Sequence, residues 1–366
     1  MDIIDYSKDE RLKWLRYVLR TSGKAPAVSD WHTLYDFADK QKIIGVCDPT
    51  RHVVQIDLEV LSLWMGAALQ ISDCNTLLNK RAVELWQVLK QADFRCCILK
   101  GQGNAEMYPN PLLRMPGDID VWIDADENTI QRFVRERFPD AKECFKHIKF
   151  PLFDDVEVDV HQTPLKLRHP QHQRRLQKWI DQHKEEQFDH FVKLTGTDVE
   201  VAVPTARFNA VYQLGHIMIH LFDQGVGFRQ LIDYFYVLKE LADISLEERE
   251  KIVHTWKRFG MSRLASAVMW IESDVLGLHE NYLLVTPNRK LGERLLADVL
   301  EGGNFGHYSI RQSYRHKGQK YKKRFSSLSR LIGLAPLFPG EAVFWIMNQC
   351  IAVIKHDIEK AVTKAG

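Results

Sequence analysis

Cysteine is sparse in this chain and poorly spaced for chemistry. Six occur among 366 residues, at positions 47, 74, 96, 97, 144 and 350. None forms a C-x-x-C pair, and Cys96 and Cys97 stand side by side in an apolar run. That pattern excludes a zinc ribbon and a disulfide framework, and it fits reduced, buried thiols in a reducing compartment. An excess of one charge is missing too. Lys and Arg total 50 against 48 Asp and Glu, a formal net charge of +2. A globally basic nucleic-acid-binding surface is therefore excluded, and any electrostatic preference must be local. Long hydrophobic runs are also absent. Residues 342–354 are interrupted by Asn348 and Gln349 and are short of the roughly 20 apolar residues a membrane span needs. Met1 to Tyr6 lacks the basic and apolar parts of a secretory leader. The chain contains no internal repeat and no low-complexity tract. A soluble cytoplasmic protein without a membrane span is expected.

What is present is an ordinary globular composition, 45% apolar and 27% charged, at a length that suggests two or three structural units. Residues 1–90 read as helical. Leu12, Leu15, Val18 and Leu19 share one helical face, as do Leu58, Leu61, Trp64 and Met65. Leu58 to Leu89 has almost no breaker but Gly66 and predicts one or two long helices. Residues 91–204 read as a small mixed unit. Phe94 to Leu99 predicts a buried strand ending at Lys100-Gly101, and a polar helical turn follows. Asp118 to Ile123 alternates and predicts a second strand. Glu127 to Phe138 predicts a helix capped by Asp126 or Asn128. Phe145 to Phe153 and Val156 to Val160 predict a hairpin about Asp154-Asp155. Residues 168–193 read as a polar helix and Val199 to Val203 as a short strand. Residues 205–366 read as helical again, with Thr205 as a cap and Ser245 with Glu248 as a capping box. Helices are expected over 246–259, 262–276, 288–301 and 341–361.

The chemistry concentrates between Lys100 and Asp120. In a strand, residues two apart project to one face about 7 Å apart along the chain. Asp118 and Asp120 can then converge on one or two divalent ions, while Ile119 and Val121 anchor the opposite face. Magnesium takes one or two protein carboxylates and completes its shell with water and substrate phosphate. Two-metal phosphoryl transfer clamps the attacking and leaving oxygens between such ions. A third carboxylate is expected on a neighbouring strand. Glu157, Asp159 and His161 share one face of Val156 to His161, and Asp159 is the chosen ligand because Val158 and Val160 anchor the other face.

The run Leu99-Lys-Gly101, Tyr108-Pro109, Arg114 and Gly117-Asp-Ile-Asp120 resembles the uncharacterised bacterial nucleotidyltransferase family of the DNA polymerase β-type superfamily. Val158-Asp-Val-His161 resembles that family's Val-Asp-Leu-His element. His216, His220 and Arg229 with Asp233 resemble its helical segment. The match spans roughly residues 90–240. The resemblance implies an α+β fold, with a small mixed-sheet core flanked by helical units. It also implies two Mg²⁺ ions, with Mn²⁺ able to substitute, and transfer of a nucleoside monophosphate from a nucleoside triphosphate such as ATP, releasing pyrophosphate. Asp118, Asp120 and Asp159 would be both metal ligands and catalytic residues. The wider superfamily has Gly-Ser in its phosphate-cradling turn, whereas this chain has Gly101-Gln102. Lys100, Gly101, Gln102 and nearby backbone N–H groups would take the serine's place, with Arg114 and Arg229 as further nucleotide-binding residues.

Each residue also has a plainer reading. Lys100 could be a solvated strand end, and Arg114 the structural partner of Asp118 or Asp120. Tyr108-Pro109 reads as a turn and His161 as a supporting histidine. Arg229 and Asp233, four apart on a helix, could simply pair with each other. The basic stretch from Arg311 to Arg330, with Tyr314 and Tyr321 inside it and Tyr308 just before it, reads as a surface loop or as a contact for RNA. The sequence names no acceptor; candidates are a protein hydroxyl, a sugar phosphate or an RNA end. The rival readings are a polynucleotide-tailing enzyme and a catalytically degenerate nucleotide- or partner-binding module.

Overall fold

The computed structural model describes residues 8–19, 23–141, 148–308 and 328–347. The N-terminal third is helical: α1 (Glu10–Val18), α2 (Trp31–Gln41), the short α3 (Ile44–Cys47) and α4 (Leu58–Gln91). Asp9 caps α1 and Asp30 caps α2, each accepting backbone N–H groups left orphaned by the first turn. The stretch predicted as one or two helices is a single helix of 34 residues, α4, which runs through Gly66.

The sheet follows. β1 (Cys96–Leu99) leads into the short helix α5 (Gly101–Ala105), and the chain returns as β2 (Ile119–Ile123). Helix α6 (Glu127–Arg137) is capped by Asp126, which settles the choice between Asp126 and Asn128. β3 (Ile148–Lys149) and β4 (Val158–His161) complete a four-stranded sheet of order β1-β2-β4-β3. β1 pairs antiparallel to β2, β2 parallel to β4, and β4 antiparallel to β3. The expected hairpin is thus present, with shorter strands; its residues 145–147 lie outside the described residues.

Period-two alternation sends the two faces of the sheet into different cores. Ile98, Ile119, Val121, Val158 and Val160 pack with Leu78, Leu85, Ile130 and Phe133 of α4 and α6. Cys97, Leu99 and Trp122 face the other way, into the cluster that holds Trp179, Phe208 and Tyr212. Asp120, Asp159 and His161 share this second face. β2 differs from the half-exposed strand its alternation suggests, because all five residues are buried.

Beyond the sheet come α7 (Pro170–Phe188), then β5 (Phe191–Lys193) and β6 (Glu200–Ala202), which pair antiparallel. Residues 191–193 were expected to be helical. The helix stops at Asp189, and Val203 N–H bonds back to His190, which draws the chain into a ribbon. The C-terminal helices are α8 (Ala206–Asp223), α9 (Phe228–Glu240), α10 (Leu246–Arg258), α11 (Ser262–Trp270) and α12 (Arg289–Gly302). Thr205 caps α8, and the Ser245–Glu248 box caps α10 as predicted. After α11 the chain continues as a π-helical turn, Ile271–Val275. The last described helix covers 339–347 and the rest of the expected 341–361 helix lies outside the described residues, as do 311–327 of the basic stretch. Arg330 is no part of a loop: it pairs with Asp298 and donates to the Leu221 carbonyl. The architecture is mixed α+β, a small mixed sheet flanked by helices. No helix among the described residues is long and apolar enough to cross a membrane.

Candidate active site

The parallel pairing of β2 with β4 places Asp120 directly beside Asp159 in the ladder. Asp118 sits just before β2. Asp118, Asp120 and Asp159 each offer a carboxylate oxygen, and these oxygens lie within 4.8 Å of one another. Asp120 and Asp159 are buried, while Asp118 is exposed. All three line a cleft of about 410 Å³ whose far wall is α8 and α9.

Cations offset the crowded acids. Lys100 Nζ lies 2.8 Å from Asp120 Oδ2. His161 Nε2 donates to Asp120 Oδ1 at 2.7 Å. Lys149, opposite Asp159 in the sheet register, reaches Asp159 at 2.8 Å and Glu157 at 2.7 Å. Burial opposes ionisation of Asp120, but Lys100 and His161 outweigh it and hold the carboxyl well below the usual range. Asp118 is pushed the other way. Loss of water inside the cleft raises it first, and the Asp120 charge adds to that against a smaller pull from Lys100.

Lys100 is held in an unusual backbone conformation, φ 49° and ψ −135°. A non-glycine residue there is strained and persists only where its surroundings fix it. Gly101 follows at φ 32° and opens α5. The pair turns the chain sharply off β1 and leaves Lys100 aimed back at Asp120. Lys100 Nζ also lies 3.0 Å from His216 Nε2, and His216 in turn is 3.2 Å from His220, one turn further along α8.

Two expected nucleotide ligands are placed differently. Gln102 is 2% exposed and does not line the cleft, because it is the second residue of α5 and points inward. Arg114 borders the cleft, but its guanidinium is committed. Nε donates to Asp233 Oδ1 and a terminal nitrogen to Oδ2, each at 2.8 Å, and Tyr108 OH donates to the same carboxylate at 2.6 Å. Arg114 therefore pairs with neither Asp118 nor Asp120, and Asp233 is taken by Arg114 instead of forming the intrahelical pair with Arg229. Tyr108 is a buried member of this triad. Arg229 remains at the cleft wall, donating to the Pro116 carbonyl at 3.3 Å beside Gly117.

Lys149 was not singled out from the sequence, and neither was Phe305, which lines the cleft from after α12. A lysine one strand across from Asp159 leaves a signal only once the register is known. Phe305 lies more than a hundred residues from the acids.

The mixed α+β core thus brings Asp118, Asp120 and Asp159 together at two neighbouring parallel strands, β2 and β4. A family model described as uncharacterised nucleotidyltransferase matches residues 27–277, and the chain belongs to that family. It is also similar to the crystal structure of an antigenic nucleotidyltransferase-like protein from Paracoccidioides brasiliensis, at 14% identity and a TM-score of 0.29, over 54% of this chain and 92% of that one. No curated protein matches the chain.

Proposed function

We propose that the chain is a Mg²⁺-dependent nucleotidyltransferase. It moves a nucleoside monophosphate from a nucleoside triphosphate to a hydroxyl acceptor and releases pyrophosphate. The observation that carries this reading is the convergence of Asp118, Asp120 and Asp159 within 4.8 Å. An all-carboxylate donor set of this kind fits a hard, oxygen-seeking divalent cation. When bound, such ions supply neutralisation of the triphosphate and acidification of the acceptor hydroxyl. Asp118 and Asp120 would hold the cations, and Asp159 would complete the set and take the acceptor's proton. His161 keeps Asp120 ionised and fixes its orientation. Lys100, the Gly101 backbone and Arg229 would receive the phosphate oxygens. Arg114 acts at a distance, holding α9 in place through Asp233.

The test is thermal. Millimolar Mg²⁺ or Mn²⁺ with ATP should raise the melting temperature by mass action. The double variant Asp118→Asn with Asp120→Asn should lose the shift. Asp159→Asn should keep nucleotide affinity and lose at least ~10²-fold in turnover, the usual contribution of a general base. Transfer is read with α-labelled nucleoside triphosphates, Mg²⁺ and cell lysate, which also reveals the acceptor class. Persistence of the full ligand shift in the double variant would refute the metal assignment. Binding without transfer in every fraction would favour a non-catalytic nucleotide-binding module, a reading to which the two lysines seated on the carboxylates lend some support.

A further inference from the structure

The cleft has one Phe, Tyr or Trp ring among its described lining residues, Phe305. It stands in the loop Gly302-Gly303-Asn304-Phe305-Gly306, beyond the segment matched by the family model. Phe305 has φ 53°, a left-handed conformation rare for an aromatic residue, between Gly303 at 64° and Gly306 at 63°. The loop is pinned from beneath. A Cβ on Gly227 would fall 2.8 Å from Asn304 Cα, and one on Gly225 would fall 3.0 Å from Gly306 N. Asn304 Oδ1 accepts from Gln230 at 3.0 Å. Tight packing and strain thus fix a ring that is only half-buried. A phenylalanine serving the core alone would be sealed.

Its neighbours connect it to the acids by two routes. Arg229 lies over the ring at 5.3 Å and on its other side reaches Pro116 and Gly117, just before Asp118. His220 lies 4.8 Å from the ring and connects through His216 and Lys100 to Asp120. The cleft therefore runs from carboxylates, through a zone of nitrogen donors, to a π-face. Arg229 Nε is buried with no hydrogen-bond partner among the described residues, a donor still to be satisfied at that junction.

We infer that Phe305, backed by Arg229, is the platform on which the base of the nucleoside triphosphate stacks. The inference rests on the function proposed above and adds to it the base-binding residue. The order of groups matches a nucleotide laid along the cleft: cations at the carboxylates, phosphates at Lys100 and Arg229, a planar ring at Phe305. Stacking on an aromatic face tolerates every base, since each has a π-surface, and the larger purines gain more contact.

The test separates base from phosphates. ATP and inorganic tripolyphosphate, each with Mg²⁺, are titrated by calorimetry into wild type, Phe305→Asn and Phe305→Tyr. Asparagine accepts left-handed backbone, so Phe305→Asn removes the ring while sparing the loop; a melting temperature near wild type confirms this. ATP affinity should fall about 10- to 100-fold in Phe305→Asn. Tripolyphosphate affinity should stay within about twofold, and Phe305→Tyr should restore ATP binding even if the asparagine variant proves unstable. Equal losses for both ligands, no loss for ATP, or wild type binding tripolyphosphate as tightly as ATP would overturn the base platform while leaving the phosphate and metal reading intact. Failure of wild type to bind either ligand would overturn both.

Discussion

Asp120 and Asp233 are both buried aspartates with cationic partners, 7% and 5% exposed, yet they sit in opposite kinds of surroundings. Around Asp233 the accounting is complete. One carboxylate meets one planar guanidinium bidentately and accepts a third bond from a phenol, and the Arg114 and Asp233 side chains are 7% and 8% exposed. Burial works against the Asp233 charge, but Arg114 and Tyr108 hold it below its ordinary value. Around Asp120 three carboxylates crowd one another, with Lys100 and His161 against Asp120 and Lys149 against Asp159. A matched pair holds two elements together. The acid cluster instead gathers three carboxylates against two ammoniums. Burial alone does not distinguish the two; stoichiometry does.

The comparison is broken most severely at Asp233. Asp233→Ala leaves Arg114 buried without its partner, and removing one member of a buried pair costs about 3–5 kcal/mol. Urea unfolding should show a loss of that size, with the lysines and carboxylates of the cleft untouched. A loss under ~1 kcal/mol, the value of an exposed pair, would mean that Asp233 is no structural clamp.

At the open cluster the effect falls on ligand binding. Charge-assisted contacts to phosphate are worth roughly 1.5–3 kcal/mol. Lys100→Ala should weaken nucleoside triphosphate binding ~10–100-fold and nucleoside monophosphate binding much less. Equal losses for the two, read by calorimetry, would show that Lys100 is a counter-ion to Asp120 alone.

A third acid sharpens the contrast from the other side. Glu272, in the π-helical turn after α11, is 0% exposed, and neither carboxylate oxygen has a hydrogen-bond partner among the described residues. Burial raises it well above its ordinary value of 4.5. A raised folded-state value means that the group's contribution to stability is fully present below the unfolded value and is lost as pH rises toward the folded one. Glu272→Gln should therefore gain on wild type as pH climbs above about 4.5, by at most about 1.4 kcal/mol per pH unit. Melting curves of both proteins from pH 4 to pH 8 measure the gap; a gap that does not change with pH would place a hidden cation beside Glu272.

Much of this was legible in the chain. Apolar periodicity marked α1, α4 and the two central strands, and side-chain chemistry marked the caps Thr205 and Ser245 and narrowed the cap of α6 to Asp126 or Asn128, since those signals act within a few residues. The acids Asp118, Asp120 and Asp159 were readable for the same reason: period-two spacing dictates which side chains share a face. That Asp120 and Asp159 are neighbours depends on β2 and β4 pairing in parallel across some forty residues, which no local pattern encodes. The partners of charged groups were decided wholly in three dimensions. Arg114 sits four residues from Asp118 and binds Asp233, more than a hundred residues away, because the fold brings α9 over the loop before β2. Lys149 meets Asp159 through the register of a short edge strand, and Phe305 enters the cleft through a loop whose left-handed backbone only its packing can hold. Local sequence determines which groups can carry charge and which face they share; the tertiary structure alone decides which opposite charge arrives, because Coulomb and hydrogen-bond partners are chosen by proximity in space.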